Sequence, residues 1–275
     1  MRNINLCFRT CFLLLCFLTS TLLTSTAYGQ DQPPTFLIVE NMKVKPGMNA
    51  AYLDAEMKVW KKIHQERQKA GNITNWTLYE VRYPSGTGTA YDYVTVTSVS
   101  GWDGVEKFYQ GWNELFSKLS KEDQAAVDKT EDLRDLTMHQ IVYQEDGIFK
   151  EDFATKPPKY LVVNYMSVPE GRWQEYYEME TKLVKPMHAE MMKSGKGRAA
   201  WGFYSQVMPS GEEQPYDAYT VDFFNTWQDM NAGSGNYQET LAKVHPGMSQ
   251  IYFTRKIEET RKLMKGELWV RIDGL

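Results

Sequence analysis

Two short stretches of the sequence share a pattern of side chains capable of acid–base chemistry. The first reads KKIHQERQKAG over residues 61–71, and the second reads KPMHAEMMKSG over residues 185–195. The chain has four histidines, and His64 and His188 occupy the same place in this pattern. Histidine titrates near neutral pH, so both are candidate catalytic groups. The alternative is structural, with each histidine stabilising the C-terminal end of a helix.

A tyrosine and a glutamate precede each histidine at helical spacing. The pattern Tyr52-x-x-x-Glu56 recurs as Tyr176-x-x-x-Glu180. Residues four apart share a helix face, so each carboxylate falls on or beside an apolar stripe. A carboxylate near an apolar interior is paired or has a raised pKa, as in many functional sites. The glutamates are therefore candidate catalytic partners and the tyrosines candidate ligand contacts. A structural bond from each glutamate to a sheet hydroxyl or a lysine is the alternative.

Three more pairs of residues recur farther along the chain and are candidate ligand contacts. They are Trp76 and Trp201, Tyr91 and Tyr216, and Asp92 and Asp217. Each tryptophan begins a predicted strand, where its ring either fills the core or forms the floor of a pocket. Each aspartate follows a Pro-Ser-Gly turn. It either bonds backbone amides there or points inward toward His64 or Lys61.

The sequence lacks the residue spacings of common metal, cofactor and nucleophile sites. His64 and Glu66 are two residues apart and so lie on different helix faces. No His-x-x-x-His or Glu-x-x-His spacing occurs, and no phosphate loop, dinucleotide fingerprint or nucleophile motif is present. We therefore predict neither a metal ligand nor a cofactor from these motifs.

The recurring residues belong to an internal repeat that covers most of the chain. Residues 36–44 align with residues 160–168 at a shift of 124, and later residues align at shifts of 125 and 127. The alignment predicts repeat 1 at residues 35–148, a linker at residues 149–159, and repeat 2 at residues 160–275. Each repeat has the size of an ordinary domain.

The order of predicted elements is the same in both repeats. In repeat 1, apolar and alternating patterns predict strands at residues 36–44, 76–83, 91–99 and 136–143. A long helix is predicted at residues 48–70, and a second helix at residues 102–119 is followed by a polar helical segment. The resulting order β-α-β-β-α-β is the ferredoxin-like arrangement, which is an α+β fold.

Two tandem ferredoxin-like units resemble the dimeric α+β barrel superfamily. Its members include antibiotic-biosynthesis-type monooxygenases, stress-responsive barrel proteins and chlorite-dismutase-like haem proteins. The resemblance covers residues 35–275 and rests on element order, unit length and duplication. It implies that the two sheets join into one pseudo-symmetric barrel within the chain, and a further homodimer is compatible with it. Because such folds host several activities, the resemblance does not specify one.

The first 29 residues are predicted to be a signal peptide. Arg2 and Arg9 precede an apolar run at residues 11–18, and Ala27-Tyr28-Gly29 supplies a small-x-small cleavage pattern. We therefore predict a secreted or periplasmic protein that begins near Gln30 and has no membrane span in the mature chain. All three cysteines lie in this segment, which excludes disulfides and cysteine ligands from the mature chain.

The charge of the mature chain argues against nucleic acid as a partner. Of 31 basic side chains, 29 remain without Arg2 and Arg9, and the 35 acidic side chains give a net charge of −6 with histidines neutral. A mildly acidic surface repels the phosphate backbone.

Two classes of function are compatible with these residues. In the first, the protein binds a small apolar or aromatic molecule, or a protein partner, between helix and sheet. In the second, which the resemblance implies, it is a cofactor-independent monooxygenase-like enzyme. There a histidine would exchange protons, a glutamate would assist it, and the recurring tryptophans together with Tyr91 and Tyr216 would form the walls. A haem-binding barrel with one histidine ligand is a third version.

Overall fold

Each repeat folds as a four-stranded antiparallel sheet with helices on its outer face. The computed structural model describes residues 33–195, 197–232 and 237–275, so the predicted signal peptide lies outside the described residues. Repeat 1 has strands β1 (Thr35–Val44), β2 (Asn75–Tyr83), β3 (Tyr93–Ser100) and β4 (Arg134–Ile148). Repeat 2 has strands β5 (Tyr160–Ser167), β6 (Ala200–Met208), β7 (Ala218–Phe224) and β8 (Lys262–Gly274).

A long helix interrupted by a π-helical turn covers each sheet. Helix α1, residues 49–69, consists of Asn49–Ala55, the π-helical turn Glu56–Trp60, and Lys61–Lys69. The equivalent helix α6, residues 173–192, consists of Trp173–Glu178, the π-helical turn Met179–Val184, and Lys185–Met192. In both helices the turn begins at or next to the repeated glutamate. Such turns are rare, and they occur frequently at functional sites.

Shorter helices complete the outer layer of each repeat. Repeat 1 has α2 (Gly101–Tyr109), α3 (Trp112–Ser117), α4 (Lys121–Asp128) and α5 (Thr130–Leu133). Repeat 2 has α7 (Trp227–Ala232), α8 (Tyr237–Val244) and α9 (Gln250–Thr260). The single helix predicted at residues 102–119 is two helices, because Gly111 between them adopts a φ of 71° that a helix does not permit.

The two sheets join edge to edge into one closed barrel. The strand order is β1-β3-β2-β8-β5-β7-β6-β4, and neighbouring strands are antiparallel. Pairing of β2 with β8 and of β4 with β6 connects the repeats. Residues 34–275 consequently form one compact unit. The structure thus confirms the predicted α+β barrel built from two ferredoxin-like repeats.

Strands β4 and β8 are longer than predicted because each belongs to both halves of the barrel. Alternation within repeat 1 predicts a strand at residues 136–143, whereas β4 continues to Ile148. Its residues from Arg134 to Tyr143 pair with β1, and those from Ile141 to Ile148 pair with β6. In the same way, β8 pairs with β5 and also with β2. The additional residues are in strand conformation because they pair with a strand of the other repeat. The sequence pattern within one repeat does not contain this information.

The hydrophobic core has three parts. One face of the strands fills the barrel interior, with residues such as Val94 and Trp269. The opposite face packs under the helices, around Trp76 in repeat 1 and around Trp201 in repeat 2. Within the described residues, no helix is long and apolar enough to cross a membrane.

Candidate functional site

A pocket lies between the long helix and the outer face of the sheet in each repeat. Pocket A, in repeat 1, has a volume of about 240 Å³ and is lined by Glu40, Met42, Glu56, Trp60, His64, Arg67, Thr95, Phe108, Tyr109, Trp112, Arg134 and His139. Pocket B, in repeat 2, has a volume of about 270 Å³ and is lined by Asn164, Met166, Glu180, Val184, Met187, His188, Met191, Arg198, Trp201, Thr220, Asp222, Tyr237, Phe253, Ile257, Arg261 and Leu263. Each pocket therefore contains one predicted glutamate and one predicted histidine.

Glu56 is a buried carboxyl on the π-helical turn of α1 and faces pocket A. Burial raises the pKa of Glu56 to about 7, while Arg134 opposes the shift and Glu40 adds to it. The Tyr52 hydroxyl lies beside this carboxyl, is fully buried, and has no aligned hydrogen-bond partner among the described residues. Near neutral pH, Glu56 can therefore change between its protonated and ionised forms, as a proton acceptor requires.

Glu180 is the counterpart of Glu56 in repeat 2 and is completely buried. Burial raises its pKa to about 7, and the charge of Arg261 opposes the shift. Arg261 Nε lies 3.2 Å from Glu180 Oε1. Neither carboxylate oxygen has an aligned hydrogen bond within the described residues. The neighbouring Tyr176 is buried in the same way as Tyr52.

His64 packs against two tryptophan rings in repeat 1. Its ring is stacked on Trp76, with the centroids 5.0 Å apart and an angle of 15°, and the Trp60 ring lies 6.3 Å away. His64 Nδ1 has no hydrogen-bond partner among the residues that the structure describes. Burial, followed by the charge of Arg67, lowers the pKa of His64 to about 3. The ring is therefore neutral at physiological pH and acts as a hydrogen-bonding group rather than as a base.

His188 has the same position in repeat 2 but a different set of partners. Arg198 Nη1 donates to His188 Nδ1 at 2.8 Å, and Arg198 Nε donates to Asp222 Oδ1 at 2.6 Å. The Trp201 ring is tilted by 46° against the imidazole instead of being stacked on it. Burial, then the charges of Arg198 and Arg261, lower the pKa of His188. In this repeat the histidine is engaged by the protein itself.

The recurring tryptophans differ in their relation to the pockets. Trp201 lines pocket B, whereas Trp76 lies behind the His64 ring and does not line pocket A. Both side chains are almost fully buried. Trp76 is thus a core residue that positions His64, and Trp201 serves both the core and the pocket.

The recurring lysine of the histidine motif connects the two repeats. Lys61 Nζ donates to Asp273 Oδ1 at 2.7 Å, and Lys185 Nζ donates to Asp146 Oδ1 at 2.6 Å. Asp273 belongs to β8 and Asp146 to β4, so each bond joins the helix of one repeat to a strand of the other. The lysine therefore has a structural reason to recur.

Tyr91 and Tyr216 lie in the barrel interior and not in pocket A or pocket B. The Tyr91 hydroxyl donates to the Glu267 carboxylate at 2.8 Å. The prediction that these tyrosines form walls of the helix–sheet pockets is not met. The reason is that both tyrosines precede β3 and β7 and project to the inner side of the barrel.

Asp92 and Asp217 fix strand ends through backbone amides. Asp92 Oδ2 accepts from the Val44 amide at 3.0 Å and its Oδ1 accepts from Lys43 Nζ at 2.9 Å. Asp217 Oδ2 accepts from the Val168 amide at 2.8 Å. These amides lie at the ends of β1 and β5 and not in the Pro-Ser-Gly turn for which the bond was predicted, and Lys61, the partner in the other alternative, is bound to Asp273.

Several groups of pocket A were not anticipated from the sequence. Glu40 Oε1 lies 3.3 Å from His139 Nδ1, and the Tyr109 hydroxyl lies 2.8 Å from His139 Nε2. These residue types do not recur in repeat 2, where Asn164 stands at the position of Glu40, so the internal repeat does not indicate them. The register of β1 and β4, which pairs Glu40 with His139, would have revealed the contact.

Arg67 is a further residue that the sequence search missed. Its guanidinium lies over the Phe108 ring at 4.8 Å and near the Trp112 ring at 5.6 Å from the centroids. Cation–π contacts of this kind hold both the arginine and the rings in place. Arg67 lies three residues after His64 on the same helix face, and this spacing could have identified it as a pocket residue from the sequence.

Neither histidine fits the role of an axial haem ligand. Arginine has only donors, so His188 Nδ1 must accept, which leaves the proton of the neutral ring on Nε2 and no free nitrogen for iron. An iron-bound histidine normally donates its other N–H to an acceptor, and His64 Nδ1 has none within the described ranges. No group of three or more potential metal-binding side chains occurs among the described residues.

Comparison with known proteins shows similarity in fold and not in sequence. No family profile matches the sequence, and no curated protein matches it. A provisionally named monooxygenase of Lactobacillus acidophilus NCFM has a TM-score of 0.54 at 10% identity, over 88% of this chain and 96% of that chain. A second provisionally named monooxygenase, from Fusobacterium nucleatum, has a TM-score of 0.54 at 9% identity, over 89% of this chain and 94% of that chain. A mutant chlorite dismutase from Candidatus Nitrospira defluvii has a TM-score of 0.50 at 10% identity, over 87% and 91%. These likenesses confirm the predicted fold.

Proposed function

We propose that this dimeric α+β barrel protein binds a small, neutral aromatic molecule that bears a hydroxyl or carbonyl group, and that it does so in pocket A. The observation that supports this most is a set of aromatic rings around a buried carboxyl, Glu56, whose pKa is about 7. Ligand pockets commonly combine such apolar walls with a few polar groups that fix orientation.

The walls of pocket A favour a flat ligand. The rings of Trp60 and Trp112 are stacked, with centroids 5.7 Å apart and an angle of 13°. Phe108 and Tyr109 provide two more rings, in contact at 5.1 Å. Aromatic side chains interact most favourably with another ring that stacks on them with an offset or meets them edge-on.

The charges of pocket A favour a neutral ligand with hydrogen-bonding groups. Arg67 and Arg134 would repel a cation, and Glu40 and the ionised form of Glu56 would oppose the attraction of these arginines for an anion. A full charge would also lose its hydration on entering the pocket. A hydroxyl could instead donate to the Glu56 carboxylate, and His64 Nδ1 is a further polar atom without a hydrogen-bond partner among the described residues.

Repeat 1 is favoured over repeat 2 because the two pockets differ at the residues that would hold such a ligand. At the alignment shift of 124, Trp60, Arg67 and Glu40 correspond to Val184, Met191 and Asn164. In addition, His188 is already bonded to Arg198. Pocket B therefore lacks both the stacked tryptophan and the available imidazole nitrogen.

The position and pKa of Glu56 favour one candidate reaction, the oxygenation of a bound phenol. Glu56 would accept the hydroxyl proton, which makes the carbon para to the oxygen electron-rich enough to react with dioxygen. One oxygen atom would become the second carbonyl of a quinone and the other would leave in water, so a phenol and O2 give a quinone and H2O. In this scheme Glu56 is the proton acceptor, and neutral His64 orients the substrate. This reverses the roles expected from the sequence.

Binding can be tested with 1-naphthol, which is neutral and hydroxylated, and with 1-naphthoate, which is an anion of similar shape. Isothermal titration calorimetry should show 1-naphthol binding about tenfold or more tightly than 1-naphthoate. Trp60→Val, which introduces the residue of repeat 2, should weaken 1-naphthol binding by about tenfold. The matched change Val184→Ala in repeat 2 should leave it unaltered. Equal affinities in the Trp60→Val variant and the native protein would remove pocket A as the site.

The reaction can be tested in an oxygen electrode with the same compound. We expect 1-naphthol to be converted to 1,4-naphthoquinone with consumption of one O2 per quinone, and Glu56→Gln to lower the rate by about 100-fold. Naphthol binding without oxygen consumption would reject the enzyme and retain the binding protein.

We also propose that the protein is secreted or periplasmic, on the basis of the predicted signal peptide. N-terminal sequencing of protein recovered from the periplasm or the culture fluid should give a chain that begins near Gln30. A cell-associated chain that retains Arg2 and Arg9 would contradict this.

A further inference from the structure

The barrel interior contains a third cavity, which shares no lining residue with pocket A or pocket B. Its volume is about 220 Å³, and inward-facing side chains from all eight strands line it. Two phenylalanines of the linker, Phe149 and Phe153, complete the lining. The cavity is central to the barrel and belongs to both repeats, unlike the two pockets under the helices.

The lining of this cavity carries no charge among the described residues. Most of it consists of aliphatic and aromatic side chains such as Val39, Leu161, Val221 and Trp269. Pocket A, in contrast, contains two glutamates, two arginines and two histidines. Because an unpaired charge in such surroundings is strongly disfavoured, the barrel interior fits an uncharged molecule.

The size of the cavity limits the ligand. An apolar protein cavity of about 150 Å³ is sufficient to bind benzene. The larger volume here, about 220 Å³, accommodates an aromatic ring with a fused ring or a short substituent. The lining also contains hydrogen-bonding groups. Gln140 Nε2 donates to the Tyr219 hydroxyl at 2.8 Å, and Asn75, Thr77 and Ser98 lie on β2 and β3. A polar group on the ligand could bond to one of these side chains.

A polar network stabilises the part of the barrel wall next to the cavity. The Glu267 carboxylate accepts hydrogen bonds from Tyr91 and Tyr165 at 2.8 Å and from Lys265 and Trp269 at 2.9 Å. Breaking several charge-assisted bonds for the passage of a ligand would be costly. Access on this side is therefore unfavourable.

Aromatic contacts hold the two phenylalanine rings of the linker over the cavity. The ring of Phe153 lies 5.0 Å from that of Phe149 and 5.2 Å from that of Phe223, and both contacts are edge-on. The Phe149 ring lies over Gly147, where a β-carbon would collide with it. Phe149 and Phe153 are only partly buried and belong to the linker and not to a strand. These two rings can move without disturbing a barrel hydrogen bond.

We propose that the barrel interior is a second binding site, for an uncharged aromatic or apolar molecule, and that Phe149 and Phe153 form its lid. The proposal is independent of the function proposed for pocket A. The linker that the sequence pattern treats as a connection then has a role in binding.

Indole is a suitable probe because it is neutral, and indole-3-carboxylate is its charged counterpart. Titration of the full-length mature protein, followed by calorimetry and by the NMR shifts of valine and leucine methyl groups, should show indole binding with shifts at Val39, Leu161 and Val221. Indole-3-carboxylate should bind about tenfold more weakly or not at all. Indole binding that leaves the methyl signals of Val39, Leu161 and Val221 unshifted would overturn the proposal.

Filling the cavity provides the matched test. Val221→Phe should weaken indole binding by about tenfold or more, and the smaller change Val163→Met should weaken it measurably if the first variant does not fold. Trp60→Val, which alters only pocket A, should leave indole binding unchanged. Unchanged affinity in a folded filling variant would overturn the second site, whatever happens to 1-naphthol in pocket A.

The lid is tested by rates. Phe153→Ala should accelerate indole association in stopped-flow measurements by about fivefold or more, because opening then requires the displacement of one ring fewer. A substitution at the exposed position Lys156→Ala serves as the control in the same linker. An association rate that is equal in all three proteins would reject the lid.

Discussion

The two repeats place the same glutamate, histidine and tryptophan under the same helix, yet they surround them differently. In repeat 1, His64 is stacked on Trp76 and its Nδ1 has no partner among the described residues. In repeat 2, His188 is bonded to Arg198, which is in turn bonded to Asp222. The same fold thus contains one pocket whose polar atoms are available to hydrogen-bond a ligand and one pocket whose histidine is already hydrogen-bonded to the protein.

This difference separates scaffold residues from ligand-binding residues. The side chains present in both repeats, such as Trp76 and Lys61, hold a helix on the sheet or join the two halves of the barrel. The side chains that give pocket A its chemistry, such as Trp60 and Arg67, are absent from repeat 2. In a duplicated protein, residues that differ between the copies indicate where a function has been added or lost, and recurring residues such as Trp76 and Lys61 can serve the common architecture.

The largest effect is expected where the repeats are most alike, at the two buried tryptophans. Trp76→Ala and Trp201→Ala should each lower the free energy of unfolding by about 3–5 kcal/mol, because each leaves a large cavity in a helix–sheet layer. Urea denaturation measures this, with the exposed Ile251→Ala as a control expected to change stability by less than about 0.5 kcal/mol. A small loss in one repeat only would show that the two layers are not energetically equivalent.

The next effect concerns pH and the two buried carboxyls. The pKa of both Glu56 and Glu180 is about 7 in the folded protein, against an ordinary value near 4.5 when unfolded. Between pH 4.5 and pH 7, each of these glutamates is ionised in the unfolded chain but still largely protonated in the folded protein. The free energy of unfolding therefore falls as the pH rises through this range, by about 3 kcal/mol for each glutamate.

Glu56→Gln and Glu180→Gln should each reduce this pH dependence, which urea denaturation between pH 4.5 and pH 8 will show. Both substitutions remove the ionisation and keep the shape of the side chain. A decline with pH that is the same in a glutamine variant and the native protein would refute the assignment for that repeat.

A smaller effect should come from converting pocket A into pocket B. Arg67→Met introduces the residue that repeat 2 has at Met191 and should weaken 1-naphthol binding by about three- to tenfold. It removes the guanidinium that packs on Phe108 and Trp112, a contact worth about 1 kcal/mol. Calorimetry measures the affinity, and Met191→Leu in repeat 2 is the matched control. An Arg67→Met variant with native affinity would show that the two pockets do not differ for the proposed reason.

The smallest effect is expected at the ion pairs between repeats. Lys61→Met and Lys185→Met should each cost no more than about 1 kcal/mol, since both lysines are partly exposed to solvent. The two losses should be similar and additive, because the pairs are separate. A double variant that loses far more than the sum in urea denaturation would indicate that the two pairs act together during barrel closure.

The sequence was sufficient to predict the barrel and the position of the two pockets. The repeat is visible as a 124-residue shift between similar segments. The strands are visible as alternation, and the helix as the spacing of Tyr52 and Glu56. All of these patterns can be read from one sequence alone. The sequence also placed one glutamate and one histidine in each pocket.

The chemistry of the pockets was not predictable in the same way. The lowered pKa of His64 depends on burial and on Arg67. The raised pKa of Glu56 depends on burial, on Arg134 of β4 and on Glu40 of β1. The contact between Glu40 and His139 requires the register of β1 and β4. The interior position of Tyr91 depends on which face of the sheet becomes the inside of the barrel. Each of these properties depends on contacts between residues far apart in the chain, and the periodicity of a short segment gives no information on such contacts.

The pairing of β2 with β8 has a consequence for the order of folding. Residue Thr77 pairs with Gly274, so closure of the barrel requires contact between segments almost two hundred positions apart. Contacts of such large sequence separation are slow to form. During synthesis the first repeat exists for some time with two open strand edges, which other chains can pair with. We therefore expect nascent or C-terminally shortened chains, and not the finished barrel, to be the species that requires protection from aggregation.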